Sequence, residues 1–94
     1  MPINQLKSTL RFYFITDEDA TGFSPEKQVR IAIKAGATLV QYRNKSFSSR
    51  FFEEVAVIKN ICKCNAIPFI INDDILLAKA VMADGVHLGQ DDED

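Results

Sequence analysis

The chain carries two cysteines, no excess of basic charge and no long apolar stretch, and each shortage narrows what it can be. Cys62 and Cys64 are too few for a disulfide framework and sit in a stretch with helical periodicity. Residues two apart on a helix point to nearly opposite sides, so the pair cannot hold one metal from that helix and reads as buried or half-buried free thiols. Eleven Lys and Arg against thirteen Asp and Glu give a net charge of −2. No basic surface is apparent, which argues against DNA or RNA but not against a small anion held locally. The longest apolar run, Ile67 to Ile71, is far short of the ~20 residues of a membrane span. Residues 1–10 have no signal-like apolar core, because Asn4, Gln5 and Lys7 interrupt them. The expected setting is cytoplasmic, with no membrane contact.

With 94 residues, 47% of them hydrophobic and 26% charged, the composition is that of one ordered globular domain. Arg11 to Thr16 is aromatic and β-branched and runs into Asp17-Glu18-Asp19, which reads as a strand and a polar loop. Ser24 and Pro25 form a helix start, Val29, Ala32 and Ile33 its apolar stripe, and Gly36 its left-handed exit. Thr38 to Tyr42 is a second strand. A Ser-rich turn, Ser46 to Ser49, opens a longer helix with Phe51, Val55, Ile58 and Cys62 along one stripe, ended by Asn65. Ile67 to Ile71 is a third strand whose continuous apolar character predicts burial on both faces. A short helix over Asp74 to Met82 and a fourth strand over Asp84 to Leu88 follow.

Strands alternating with helices over short connections imply βαβ units and a parallel sheet. No G-x-G-x-x-G follows the first strand, so a dinucleotide fold loses its main support. Half of a barrel and a small open doubly wound sheet both remain.

Polar residues gather at strand ends. Gln41 and Arg43 share parity on the second strand, with Lys45 just beyond; Asn72 and Asp73 follow the third, and Gln90, Asp91 and Asp92 the fourth. C-terminal strand ends are where α/β proteins place ligands. Arg43 offers a planar donor fork and Lys45 a point charge, both suited to phosphate. Asp73 and Asp92 offer the hard oxygens that Mg²⁺ accepts. Each feature alone has an ordinary explanation: a solvated loop, a helix cap or an acidic tail.

Taken as an ordered set, TLVQYRNK (38–45), PFIIND (68–73), ADGVHLGQ (83–90) and FITD (14–17) resemble the motifs of the thiamine phosphate synthase family. The resemblance implies the N-terminal half of a (βα)₈ TIM barrel, four parallel strands alternating with three helices. It implies a transferase that joins hydroxymethylpyrimidine diphosphate to thiazole phosphate, giving thiamine phosphate and pyrophosphate, with Mg²⁺ required. Gln41, Arg43, Lys45 and Asn72 would then contact the pyrimidine diphosphate, Asp73 and Asp92 would hold the metal, and His87 would face the barrel interior near the pyrimidine. Arg43 and Lys45 would stabilise charge on the departing diphosphate.

Family members run to about twice this length, the usual barrel being on the order of 250 residues. Residues 1–94 are therefore expected to be a single incomplete barrel domain, with 1–10 as an N-terminal extension, that ends before its active site is complete. A thiazole tautomerase-like protein and a non-catalytic half-barrel binding module are the alternatives; the former would not need a Mg²⁺-diphosphate site. One local departure is Phe51, where an acid would complete a capping box with Ser48. Four strands cannot close a barrel, and their unpaired edges invite pairing. The isolated chain is expected to be unstable, to self-associate, or to need a complementing C-terminal half. Size-exclusion chromatography with light scattering checks this, and a stable, monodisperse 10.6 kDa monomer contradicts it.

Overall fold

A computed structural model of the chain describes residues 11–20 and 22–88. Strand β1 (Tyr13–Ile15) leads into helix α1 (Pro25–Lys34) and strand β2 (Leu39–Tyr42). A 3₁₀ turn (Ser49–Phe51) opens helix α2 (Phe52–Cys64), followed by β3 (Phe69–Asn72), α3 (Ile75–Ala80) and β4 (Gly85–His87). The four strands form one parallel sheet in the order β1-β2-β3-β4. A doubly wound sheet needs a point where strand order reverses. None occurs among the described residues, and the architecture is that of half a (βα)₈ barrel.

Parity fixes the two faces. Val40 pairs with Phe69 and Tyr42 with Ile71, and all four are buried. They form the core with Val29 of α1, Val55, Ile58 and Cys62 of α2, and Leu77 and Ala78 of α3. All three helices thus cover one face. On the other, Tyr13 and Ile15 are 62% and 49% exposed and Ile70 is half-buried. The expected burial of the third strand on both faces is therefore corrected: Phe69 and Ile71 are covered, whereas Ile70 and Asn72 look into an open cleft.

Local chemistry sets the element ends. Ser24 Oγ accepts from Lys27 N at 3.2 Å and caps α1, with Pro25 in the first turn. Ser48 makes no side-chain cap bond. Phe51 instead joins a row of rings, 6.3 Å from Phe47, which lies 6.4 Å from Tyr42. β3 begins at Phe69 rather than Ile67 because Pro68 has no N–H to donate to a ladder. Cys62 is buried but Cys64 is exposed, which corrects the expected burial of both: a step of two residues turns the second thiol away from the sheet. Burial, and then the charge of Asp84, pushes the Cys62 thiol up to about 11, leaving it protonated and inert near neutral pH.

Each helix leaves through a left-handed residue one step past its C-cap: Gly36 (φ 104°), Ala66 (φ 55°) and Met82 (φ 57°). Asp73 (φ 60°) adopts the same conformation at the end of β3. A residue with a Cβ pays ~1–2 kcal/mol there, while glycine gives back ~0.5–1 kcal/mol through its looser unfolded chain. Ala66→Gly and Met82→Gly should each raise stability by up to about 1 kcal/mol, read from urea midpoints. Asp73→Ile should fall about 1–2 kcal/mol below Asp73→Asn, since a β-branched residue tolerates this conformation least. Destabilisation by both glycine variants would contradict this account of the exits.

Candidate active site

The uncovered face of the sheet is a cleft of about 780 Å³. Its polar wall comes from three consecutive strand ends: Gln41, Arg43 and Lys45 from β2 and its loop, Asn72 and Asp73 from β3, and His87 from β4. Its floor is apolar, with Tyr13, Ile15, Leu39 and Ile70. Every described residue singled out from the sequence lines this one cleft. Gln90, Asp91 and the second expected metal ligand, Asp92, lie outside the described residues.

Gln41 lies mid-sheet between its register partners Ile15 and Ile70 and is only 9% exposed. Arg43 and Lys45 are exposed, and among the described residues neither enters an ion pair. Asn72 is half-buried and pairs in register with His87, which is exposed on the strand at the sheet's edge. His87 thus lines the cleft and is not packed against a helix. Asp73 donates its N–H to His87 O at 2.7 Å, carrying the β3–β4 ladder one residue past the strand. The cap of α3 is Asp74, whose Oδ1 accepts from Leu77 N at 2.9 Å. Capping therefore accounts for Asp74 and leaves Asn72 and Asp73 facing the cleft.

The segment after β2 is held from two sides. Beneath it, the Tyr42 hydroxyl donates to Glu54 Oε2 at 3.0 Å and accepts from Asn44 Nδ2 at 3.1 Å, while Asn44 Oδ1 accepts from Ser46 N at 2.9 Å. Burial raises the Tyr42 hydroxyl's pKa well above the ordinary phenol value, so it stays a donor. Beside it, Thr16 Oγ1 accepts from Arg43 N at 3.0 Å and Glu18 Oε1 accepts from Lys45 N at 3.0 Å. Sequence reasoning did not single out Thr16, Glu18, Tyr42 or Asn44. A usable signal was parity: Tyr42 and Asn44 alternate with the cleft residues Gln41, Arg43 and Lys45 and so face the helices.

Two cations outside any ion pair among the described residues, with a carboxylate and two amides lining the same cleft, make an anion site, and the apolar floor suits a planar ring. The family model described as thiamine monophosphate synthase matches residues 12–94. Thiamine-phosphate synthase of Persephonella marina is 52% identical over 87 residues, covering 90% of this chain and 42% of that protein. The enzyme of the same name from Bacillus velezensis is 44% identical over 93 residues, covering 95% and 42%. A solved thiamine phosphate pyrophosphorylase from Pyrococcus furiosus superposes with a TM-score of 0.77 at 32% identity, over 90% of this chain and 42% of that one. The chain spans less than half the length of these relatives. On the match over residues 12–94, it belongs to the thiamine monophosphate synthase family.

Proposed function

We propose that this chain forms the diphosphate-gripping part of a thiamine phosphate synthase, a transferase that joins hydroxymethylpyrimidine diphosphate to thiazole phosphate in thiamine biosynthesis. The supporting observation is the gathering of Gln41, Arg43, Lys45, Asn72, Asp73 and His87 around one cleft, with both cations outside any ion pair among the described residues. Residues 1–94 make up a single incomplete barrel domain with a short N-terminal extension. It is completed by a C-terminal half or by self-association, and it works in the cytoplasm.

In this reading the pyrimidine lies over the floor between Gln41 and His87, and the diphosphate reaches Arg43, Lys45 and Asn72. As the bond from the pyrimidinylmethyl carbon to the diphosphate breaks, negative charge builds on the leaving oxygens. The Arg43 fork and the Lys45 ammonium meet that charge in a site already arranged to receive it. The thiazole nitrogen attacks with its own lone pair, so no general base is required of the protein.

Asp73, a carboxylate lining the cleft, is a donor of the kind Mg²⁺ takes. Among the described residues no group of three or more His, Cys, Asp or Glu stands together, as a protein-enclosed metal would need. Mg²⁺ takes one or two carboxylates and fills its other positions with water and substrate phosphate. Asp73 at the rim, joined by Asp92, would hold it. Bound there, the ion would neutralise charge on the departing diphosphate.

The test is titration calorimetry of the 94-residue chain with inorganic pyrophosphate, with and without Mg²⁺. Charge-assisted hydrogen bonds are worth ~1.5–3 kcal/mol, so Arg43→Met and Lys45→Met should each weaken binding about ten- to a hundredfold. Asp73→Asn should abolish most of the Mg²⁺ dependence. Binding that ignores both cations would defeat the proposal, and binding indifferent to Mg²⁺ would favour the tautomerase-like alternative. Thiamine phosphate synthesis is not expected from the isolated chain, and its detection would refute the incomplete-site reading.

A further inference from the structure

The β1–β2 ladder does not end where its backbone pairing ends. Its last backbone bond runs from Thr16 N to Gln41 O at 2.9 Å. Beyond it, side chains of the β1 segment take over as acceptors for the amides of the segment after β2. Thr16 Oγ1 accepts from Arg43 N at 3.0 Å and lies 3.5 Å from Arg43 O, and Glu18 Oε1 accepts from Lys45 N at 3.0 Å. The steps match: Glu18 lies two positions after Thr16, and Lys45 two positions after Arg43. Between them, Asp17 turns the other way. Its N–H donates to Gln28 Oε1 at 2.9 Å, and Gln28 Nε2 donates to Asp17 O at 2.8 Å and to Phe23 O at 3.0 Å. Thr16 is 2% exposed and Gln28 9%, so both sit in packed surroundings.

We propose that Thr16 and Glu18 are positioning residues that fix the backbone of Arg43 and Lys45, with Gln28 of α1 locking the loop that carries them. The inference rests on the diphosphate reading given above. Arg43 and Lys45 have exposed, long side chains, and a cation on a mobile loop would lose much of its attraction for a phosphate to ordering entropy. The clamp removes the backbone part of that freedom before any ligand arrives. It also makes α1, which contributes nothing to the cleft lining, a support of the anion site. Each clamp residue acts through an acceptor oxygen, so an isostere without one breaks it and a smaller or neutral residue that keeps one does not.

Two measurements on the 94-residue chain separate the clamp from the site it serves. The first is amide hydrogen exchange by NMR without ligand. Thr16→Val should speed exchange at Arg43 about tenfold relative to Ile58 in the core, and Thr16→Ser should not. Glu18→Ala should do the same at Lys45, and Glu18→Gln should not. The second is calorimetric binding of pyrophosphate with Mg²⁺, expected to weaken about tenfold in Thr16→Val and Glu18→Ala and to recover in Thr16→Ser and Glu18→Gln. Unchanged exchange at Arg43 and Lys45 would overturn the clamp. So would unchanged affinity in Thr16→Val beside an unaltered chain that binds. Loss of affinity in Thr16→Ser equal to that in Thr16→Val would point to general destabilisation and overturn it as well. If the unaltered chain shows slow amide exchange at Ile58, and is therefore folded, yet binds no pyrophosphate, the diphosphate reading falls and takes the purpose of the clamp with it.

Discussion

A β-strand sends successive side chains to opposite faces, and β2 depends on that constraint more than any other element. Val40 and Tyr42 go to the helix layer, where both are buried; Leu39, Gln41 and Arg43 go to the cleft. The run LVQYR therefore encodes a core and a binding wall at once, one residue of each in turn. A register slip of one position would bring Arg43 and Gln41 against the helices and expose Val40 and Tyr42. Burial of an unpaired guanidinium would cost several kcal/mol, so the core itself enforces the position of the site.

The strands are short, three or four residues each, and backbone pairing alone ties such strands loosely. Polar side chains lengthen the ladders at both ends of the sheet. At the N-terminal end, Thr38 Oγ1 accepts from Phe12 N at 3.0 Å and Asp84 Oδ2 accepts from Phe69 N at 2.7 Å. At the C-terminal end, Thr16 and Glu18 do the same for Arg43 and Lys45. A net ~0.5–1.5 kcal/mol for each bond is a sizeable share of the margin of a domain this small. Glu18, which reads as a polar loop residue in the sequence, therefore extends the sheet.

How much of this could be read from the sequence follows the range of the interactions involved. Element order and the Ser24 cap depend on neighbours three or four positions away and were legible. So was the cleft wall, because parity and strand ends are local properties. Thr16 and Glu18 reach partners 27 positions away, and no periodicity announces such a bond. The choice between barrel and doubly wound sheet was likewise open, since both share the same alternation and differ only in which strands become neighbours. Burial of the third strand was misjudged at Ile70 for a related reason: an apolar run shows that a strand can be covered on both faces, not that it is.

That uncovered face joins stability to binding. Parallel sheets are ordinarily covered on both sides, and here the side without helices carries exposed Tyr13 and Ile15 next to the cations. The apolar floor and the polar wall belong to one surface, so whatever covers the first also encloses the second. Enclosure expels water, lowers the local dielectric and strengthens the attraction of Arg43 and Lys45 for an anion. A ligand that binds the folded sheet and not the open chain stabilises it in turn, by RT ln(1 + [L]/Kd). In a half-barrel with so thin a margin, cover, charge and fold are terms of one equilibrium, and strengthening any of them raises the other two.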